Sequence, residues 1–394
     1  MIIEVPPSKS ISNRALVLSF LSPSSHILKN VLKSDDTRVM LQALFLLGVE
    51  LEILREDERA FDVKVHGTDN GMNLNCPVET EVYLQNAGTA MRFMTAVLSQ
   101  CPGNFVLTGN QRMHKRPISD LVKALKQVGA KIVYLDNDGY PPLQILGSKL
   151  EGKVKIKGNV SSQYISALKI MNAFRKNPLD IEISGDLVSK PYVDLTDSVI
   201  ADFKSSEEYE IEGDASSASY FWARGALLDK PVQVSNVSAI TKQADIQFLQ
   251  ALRDMGVNVS VDLTVSRNEL KGLGEYDCKE FPDSAMTLTV LAAVADGKTR
   301  LTGLSNLKFK ECDRLQALES ELNKLGCKVK AFADGLEIEG IPRDSLKPAK
   351  IETYDDHRMA MCFAVLKLLQ PEIEILDPGC VSKTYPTFWE DFQI

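Results

Sequence analysis

The chain has 394 residues, 44% of them hydrophobic and 25% charged, with a formal net charge of −8. That length points to two or three globular domains, and the negative balance argues against a general nucleic-acid binder. Any anion site must therefore be a local basic cluster. The opening MIIEVPPSK lacks the basic start and apolar run of a signal peptide. The runs MTLTVLAAVA and MAMCFAVL end at Asp296 and Lys367, too short to span a bilayer, so no membrane partner is expected. Seven scattered cysteines with no CxxC pair read as reduced thiols in a cytoplasmic setting. No two of the four histidines lie close together, so no metal site of the zinc type is expected.

Residues 6–21 read PPSKSISNRALVLSFL. The prolines favour an extended lead-in, Ser8 or Ser10 fits an N-cap, and the apolar pattern then predicts a helix. Lys9, Ser10 and Arg14 fall near its start, where free N–H groups and the macrodipole favour anions. A phosphate or carboxylate site and an ordinary capped helix with a solvated basic start both fit this stretch.

The pattern recurs. Small polar residues followed by an apolar helix appear as SKSISNRALVLSFL, NAGTAMRFMTAVL, SSQYISALKIMNAF, DASSASYFWARGALL, DSAMTLTVLAAVA and DDHRMAMCFAVLKLL. Their anchors, Ser10, Gly88, Ser162, Ser216, Ser284 and Asp356, stand 78, 74, 54, 68 and 72 residues apart. Helices apolar on most faces are expected to be buried. Between them come amphipathic helices, LQALFLLGVELEI, LVKALKQVGAKIV, LQALRDMGVNVSV and ESELNKLGCKVKA. Each is expected to end at a left-handed glycine (Gly48, Gly129, Gly256 or Gly326) and to run on into a strand. The third interval is short because DLTDSVIADF is followed only by KSSEEYEIEG, so the third repeat has lost its glycine-plus-strand piece. Six units suit two similar domains of three repeats each. The expected N-terminal domain is 8–211. Residues 1–7 and 212–394 make the C-terminal one, with a strand at 2–5 pairing there.

Nine cations, Lys9, Arg14, Arg92, Arg112, Arg116, Lys310, Arg314, Arg358 and Lys383, lie at or near predicted element starts. A single such residue is usually a solvated charge, but nine at equivalent places suggest a shared anion pocket. Capping accounts for Asp36 and Asp283. KECDR, with Glu311 and Asp313 beside Lys310 and Arg314, packs more charge than a cap needs and suits acid–base work. Cys312 inside it reads as a small filler. Ser161, Ser162, Gln163, Ser189, Tyr192 and Asn306 offer neutral hydrogen-bonding groups suited to a polyhydroxylated ligand.

Taken together, SKSISNR, SDDTR, NAGTAMR, RMHKRPI, SSQY, SKPY, GDASSASYF, KECDR, DDHRMAM and VSKTYPTF resemble the 5-enolpyruvylshikimate-3-phosphate synthase family, in order from Pro6 to Phe388. The resemblance implies an α/β fold of the α+β prism type. Its two similar domains each hold three units with buried parallel helices and surrounding sheets, and the active site lies in the interdomain cleft. It also implies transfer of the enolpyruvyl group of phosphoenolpyruvate to the 5-hydroxyl of shikimate 3-phosphate, on the shikimate pathway to chorismate and aromatic amino acids. No cofactor or metal is needed, and a monomer is expected.

Carried over, Lys9, Ser10, Arg14, Ser161, Ser162, Gln163, Ser189, Tyr192, Asp283, Asn306 and Lys310 would hold shikimate 3-phosphate. Lys9, Gly88, Arg92, Arg116, Gln163, Arg314, Arg358 and Lys383 would surround phosphoenolpyruvate. Asp283 would act as base and Glu311 as acid, with Lys9 and His357 assisting. The chain departs from the family pattern at Pro7 (usually glycine), Phe93 (commonly proline), Cys312 (threonine or serine) and the shortened third repeat. Phe93 bears on the response to the inhibitor glyphosate. The related UDP-N-acetylglucosamine enolpyruvyl transferases carry a loop cysteine that GNQRMHKRP lacks. A non-catalytic anion-binding relative is disfavoured by Asp283 and Glu311. A nucleotide-dependent kinase is disfavoured by the lack of a GxxxxGK[ST] loop.

Overall fold

Six stretches of this chain have almost no polar face, and each folds as a helix sunk in a core. In the computed structural model, which describes every residue except Val160, Asp186, Val188 and Ile394, they are α1 (Lys9–Leu21), α3 (Gly88–Leu98), α5 (Ser162–Asn172), α7 (Ala215–Leu227), α9 (Pro282–Ala292) and α11 (His357–Lys367). On α3 alone Met91, Phe93, Met94, Val97 and Leu98 are fully buried. Each large apolar side chain so buried stabilises the fold by roughly 1.5–3 kcal/mol. The amphipathic helices are α2 (Asp35–Leu46), α4 (Ser119–Gln127), α8 (Phe248–Asp254) and α10 (Arg314–Lys324). Past their ends Gly48, Gly129, Gly256 and Gly326 take φ of 78°, 101°, 89° and 85°, the left-handed turn that releases the chain into a strand. After Gly256 that strand is only Asn258–Val259. Two further helices, α6 (Lys190–Ser205) and α12 (Phe388–Phe392), complete the set among the described residues.

The chain divides into two units, Pro7–Ile211 and Met1–Pro6 with Glu212–Ile394. The division falls between Pro6 and Pro7, one residue earlier than the sequence suggested. Each unit has its own core, one built from residues between Ile11 and Ile211, the other from Val5 and residues between Ala215 and Phe392.

In the first unit, one sheet runs Glu208–Glu210, His26–Leu32, Ala60–Val65, Leu51–Glu56, and a second runs Glu79–Tyr83, Asn104–Thr108, Leu143–Leu146, Lys131–Tyr134. Both begin with a parallel pair and continue antiparallel. The third repeat keeps only the parallel pair, Lys153–Lys157 beside Asp180–Ser184. Where the other repeats turn back, α6 leads straight to Glu208–Glu210 on the first sheet. The second unit repeats the four-stranded plan in Gly274–Asp277, Lys298–Thr302, Gly335–Glu339, Lys328–Phe332.

The N-terminal strand is Ile2–Ile3, parallel to Gln233–Val234. It stops short of the expected 2–5 because the side chain of Asn236 takes over at Val5. Asn236 Oδ1 accepts the Val5 N–H at 3.1 Å, and its Nδ2 donates to the Val5 carbonyl at 2.7 Å. Next along, the Asp214 N–H donates to the Pro6 carbonyl at 2.9 Å.

Candidate active site

The unit containing 212–394 gathers its charges at three helix starts. α9 opens with Pro282 at its first position, and Asp283 follows inside the first turn. The sequence suggested Asp283 as a cap. That role belongs instead to Asp245, whose Oδ1 accepts the Ser284 N–H at 3.1 Å and the Ser284 hydroxyl. Asp283 is thereby left to face cations: Lys310 Nζ at 3.3 Å, Arg314 Nη1 at 3.2 Å and Arg358 Nη2 at 3.1 Å.

Arg314 is the first residue of α10, with Asp313 as N-cap accepting the Gln316 N–H at 3.3 Å. Arg314 is 1% exposed, and its guanidinium meets three carboxylates. Besides Asp283, it donates to Glu311 Oε2 at 2.9 Å and to Asp356 through Nε at 2.7 Å and Nη2 at 3.1 Å. Asp356 in turn caps α11, accepting the Arg358 N–H at 2.9 Å, and His357 Nδ1 lies 3.7 Å from its Oδ1. Arg358 Nη1 donates to the Tyr220 hydroxyl at 3.3 Å.

Burial alone would lower these guanidinium groups, but Arg314 and Arg358 are held above the ordinary arginine range because nearby carboxylates outweigh it. Lys310 goes the other way: burial lowers it despite Asp283. Burial, then the Asp283 charge, raises Asp245, which therefore keeps its proton more readily than an ordinary aspartate. Burial also pushes the Cys312 thiol up, and its Sγ donates to Asp356 Oδ2 at 3.6 Å, so it is a filler rather than a thiolate nucleophile. Asn306 sits in the 3₁₀ turn Ser305–Phe309. Lys383 ends another, Pro378–Lys383, and its charge acts on Asp355.

In the unit Pro7–Ile211, Ser8 is the α1 N-cap residue but makes no side-chain cap, and Ser10 lies inside the helix. Lys9 pairs with Asp36 at 3.3 Å. Asp36 is not the cap the sequence suggested: Ser34 caps α2 through a box with Thr37, and Asp36 sits in the first turn. Arg14, 2% exposed, ties three helices together. Nη1 donates to Ser10 O at 2.8 Å and Oγ at 2.9 Å, Nε to Thr196 Oγ1 at 2.9 Å, and Nη2 to Tyr192 O at 3.2 Å and Ser166 Oγ at 3.4 Å. Its carbon Cζ lies 5.5 Å from the Phe93 ring centre on α3. Arg14 thus positions Ser10 and Tyr192.

At the α3 start, Arg92 donates to Gly88 O at 2.9 Å and Pro117 O at 3.2 Å. Arg116 donates to Asn86 O at 2.9 Å and Oδ1 at 3.1 Å. A Cβ on Gly88 would come within 2.4 Å of Arg116 and 2.5 Å of Arg92, so only glycine lets both guanidinium groups approach the helix start. Arg112 precedes the 3₁₀ turn Met113–Lys115. Ser161 caps α5, accepting the Gln163 N–H at 3.3 Å, Ser162 opens that helix, and Ser189 opens α6 with a left-handed φ of 54°.

Sequence reading missed the roles of Asp356, Asp245, Tyr220 and Thr196. Asp356 left a signal as the last acid before HR at a helix start; the others act through contacts distant in sequence. Among the described residues no group of three or more His, Cys, Asp or Glu could hold a metal ion, and no helix is long and apolar enough to cross a membrane.

Two carboxylates, Asp283 and Glu311, held by one buried arginine in a mixed α/β fold form an arrangement suited to acid–base chemistry. The chain belongs to the EPSP synthase (3-phosphoshikimate 1-carboxyvinyltransferase) family, whose model matches residues 1–392. It is 42% identical to the 3-phosphoshikimate 1-carboxyvinyltransferase of Nitrosomonas europaea, covering 99% of this chain and 95% of that one. It is also 42% identical to the enzyme of the same name from a Sulfurovum species, covering 98% and 95%. A solved EPSP synthase from Acinetobacter baumannii shares the fold with a TM-score of 0.76 at 24% identity, over 99% of this chain and 94% of that one.

Proposed function

We propose that the chain transfers the enolpyruvyl (carboxyvinyl) group of phosphoenolpyruvate to the 5-hydroxyl of shikimate 3-phosphate, releasing phosphate, in aromatic amino-acid biosynthesis. The observation that carries this reading is Arg314 holding Asp283 and Glu311 at 3.2 and 2.9 Å. That arrangement sets a base and an acid on one fixed cation.

Asp283 takes the proton of the 5-hydroxyl as its oxygen attacks C2 of the enolpyruvyl group, and Glu311 gives a proton to the methylene carbon. In the resulting adduct the C–O bond to phosphate breaks and phosphate leaves with the bonding pair, taking up the proton held by Asp283, while a proton of the new methyl carbon returns to Glu311 and the double bond reforms. His357, beside Asp356, assists. Shikimate 3-phosphate is held by Lys9, Ser10, Arg14, Ser161, Ser162, Gln163, Ser189, Tyr192, Asp283, Asn306 and Lys310. Arg14 serves by fixing Ser10 and Tyr192 as well as by its charge. Phosphoenolpyruvate is held by Lys9, Gly88, Arg116, Gln163, Arg314, Arg358 and Lys383, with Arg92 close by. Two polyanions repel, so fixed cations must cancel that repulsion before alignment can lower the barrier. The two units are taken as domains of three repeats each, the third shortened, in a cytoplasmic monomer.

The test is phosphate release from phosphoenolpyruvate with shikimate 3-phosphate as acceptor. Release only when UDP-N-acetylglucosamine replaces shikimate 3-phosphate would sink the reading.

A further inference from the structure

Glu321 is a carboxylate with no exposed side-chain surface, and no step above uses it. It lies about two turns after Arg314 on α10, hence on the same face. Its Oε2 accepts the Glu352 N–H at 3.0 Å and the Lys324 ammonium at 2.6 Å, and its Oε1 accepts the Tyr354 hydroxyl at 2.7 Å. The segment it grips ends at Asp356, which Arg314 grips from the same helix. Between these two clamps Tyr354 and Asp355 both take left-handed φ, 56° and 55°. Aspartate tolerates this conformation, but tyrosine disfavours it, so surrounding contacts must hold Tyr354 there. The turn closes with the Asp356 N–H donating to the Thr353 carbonyl at 2.9 Å. Relaxation of either left-handed residue would swing Asp356 away from Arg314 and unseat the cap of α11.

We infer that Glu321 is a positioning residue: through Glu352 and Tyr354 it holds the strained turn that delivers Asp356 to Arg314. The inference rests on the reading of Arg314 and Arg358 as ligands for phosphoenolpyruvate. Glu321 itself touches no substrate. It fixes the carboxylate that fixes the arginine.

The test uses the full chain with Glu321→Ala, Glu321→Gln and Tyr354→Phe. Amide hydrogen exchange is followed over residues 352–358 and over α10, together with steady-state kinetics for both substrates. In Glu321→Ala, exchange over 352–358 should speed by about tenfold while the α10 amides keep their protection. The KM for phosphoenolpyruvate should rise by about tenfold with that for shikimate 3-phosphate within about twofold, the scale of losing an outer partner of a charged ligand. Glu321→Gln keeps an acceptor for the Glu352 N–H and should recover part of both effects. Tyr354→Phe removes only a hydroxyl from a half-exposed ring, so it leaves the core intact; it should change both readouts in the same direction by about fivefold or less. Unchanged exchange over 352–358 in all three variants, or equal rises in both KM values, would overturn the inference. Absence of any transfer by the unaltered chain would instead defeat the proposed function, while the exchange data still judge the role of Glu321.

Discussion

Arg14 and Arg314 are both buried, 2% and 1% exposed, and both belong to motifs that predict anion binding, yet their surroundings differ in kind. Arg14 is met by hydroxyls and carbonyls: Ser10, Thr196, Ser166 and Tyr192. Arg314 is met by Asp283, Glu311 and Asp356. Burial lowers the first guanidinium to about 10, whereas carboxylates hold the second above the ordinary range. Neutral oxygens leave the charge of Arg14 uncancelled, so it can still act on an incoming anion. Carboxylates surround Arg314 and are themselves aligned by it. In the proposed reaction Arg14 supplies field, whereas the Arg314 cluster both faces phosphoenolpyruvate and sets the groups that move protons.

Four experiments test that contrast. Glu311→Ala should lower kcat by about 10²–10⁴-fold, the range for a lost general acid, with both KM values little changed. Near-normal turnover would remove proton transfer from the Arg314 region. Next, Arg314→Met strands buried carboxylates and should cost about 3–5 kcal/mol in urea unfolding. Arg14→Met strands only neutral acceptors and should cost about 1–3 kcal/mol. If Arg14→Met proved the costlier, the distinction between the two surroundings would fail.

Lys9→Met removes a partly exposed pair with Asp36 and should barely change stability. It should raise both KM values about tenfold, the worth of one charge-assisted hydrogen bond. A rise in only one would deny Lys9 its place between the substrates. The smallest effect concerns pH. Burial lowers Lys310, so it loses its charge as pH rises through a value below the ordinary lysine range. The alkaline fall of kcat/KM should lie correspondingly low, and Lys310→Arg should move it upward because guanidinium stays charged. An unmoved limb in that variant would assign the fall to another group.

The six buried helices were legible because their signal is local: small polar residues, then residues apolar on every face. The four left-handed glycines were legible for the same reason. Local reasoning failed where the deciding partner is distant. Asp36 and Asp283 look like caps within their own turns, but Ser34 and Asp245 hold those positions and free the two carboxylates for Lys9 and for the Arg314 cluster. Arg14 was readable as a cation, whereas its bonds to Thr196 and Tyr192 require α6 to be in place. Asp356 was visible as the anchor of the last repeat, but its service to Arg314, the Arg358 N–H and Cys312 at once is a product of packing.

The hydrogen bond between Asp214 and the Pro6 carbonyl has a consequence for how the gene product is wired. The chain leaves one unit just after Pro6 and resumes it at Glu212, at a point already stitched together. In connectivity the stretch Pro7–Ile211 is an insertion into a protein whose own ends of that gap are neighbours. A linker of a few residues could bridge it with little loop-closure entropy. Joining Pro6 to Glu212 through such a linker is therefore expected to leave a polypeptide that folds, and a cooperative urea transition of that shortened chain would check it.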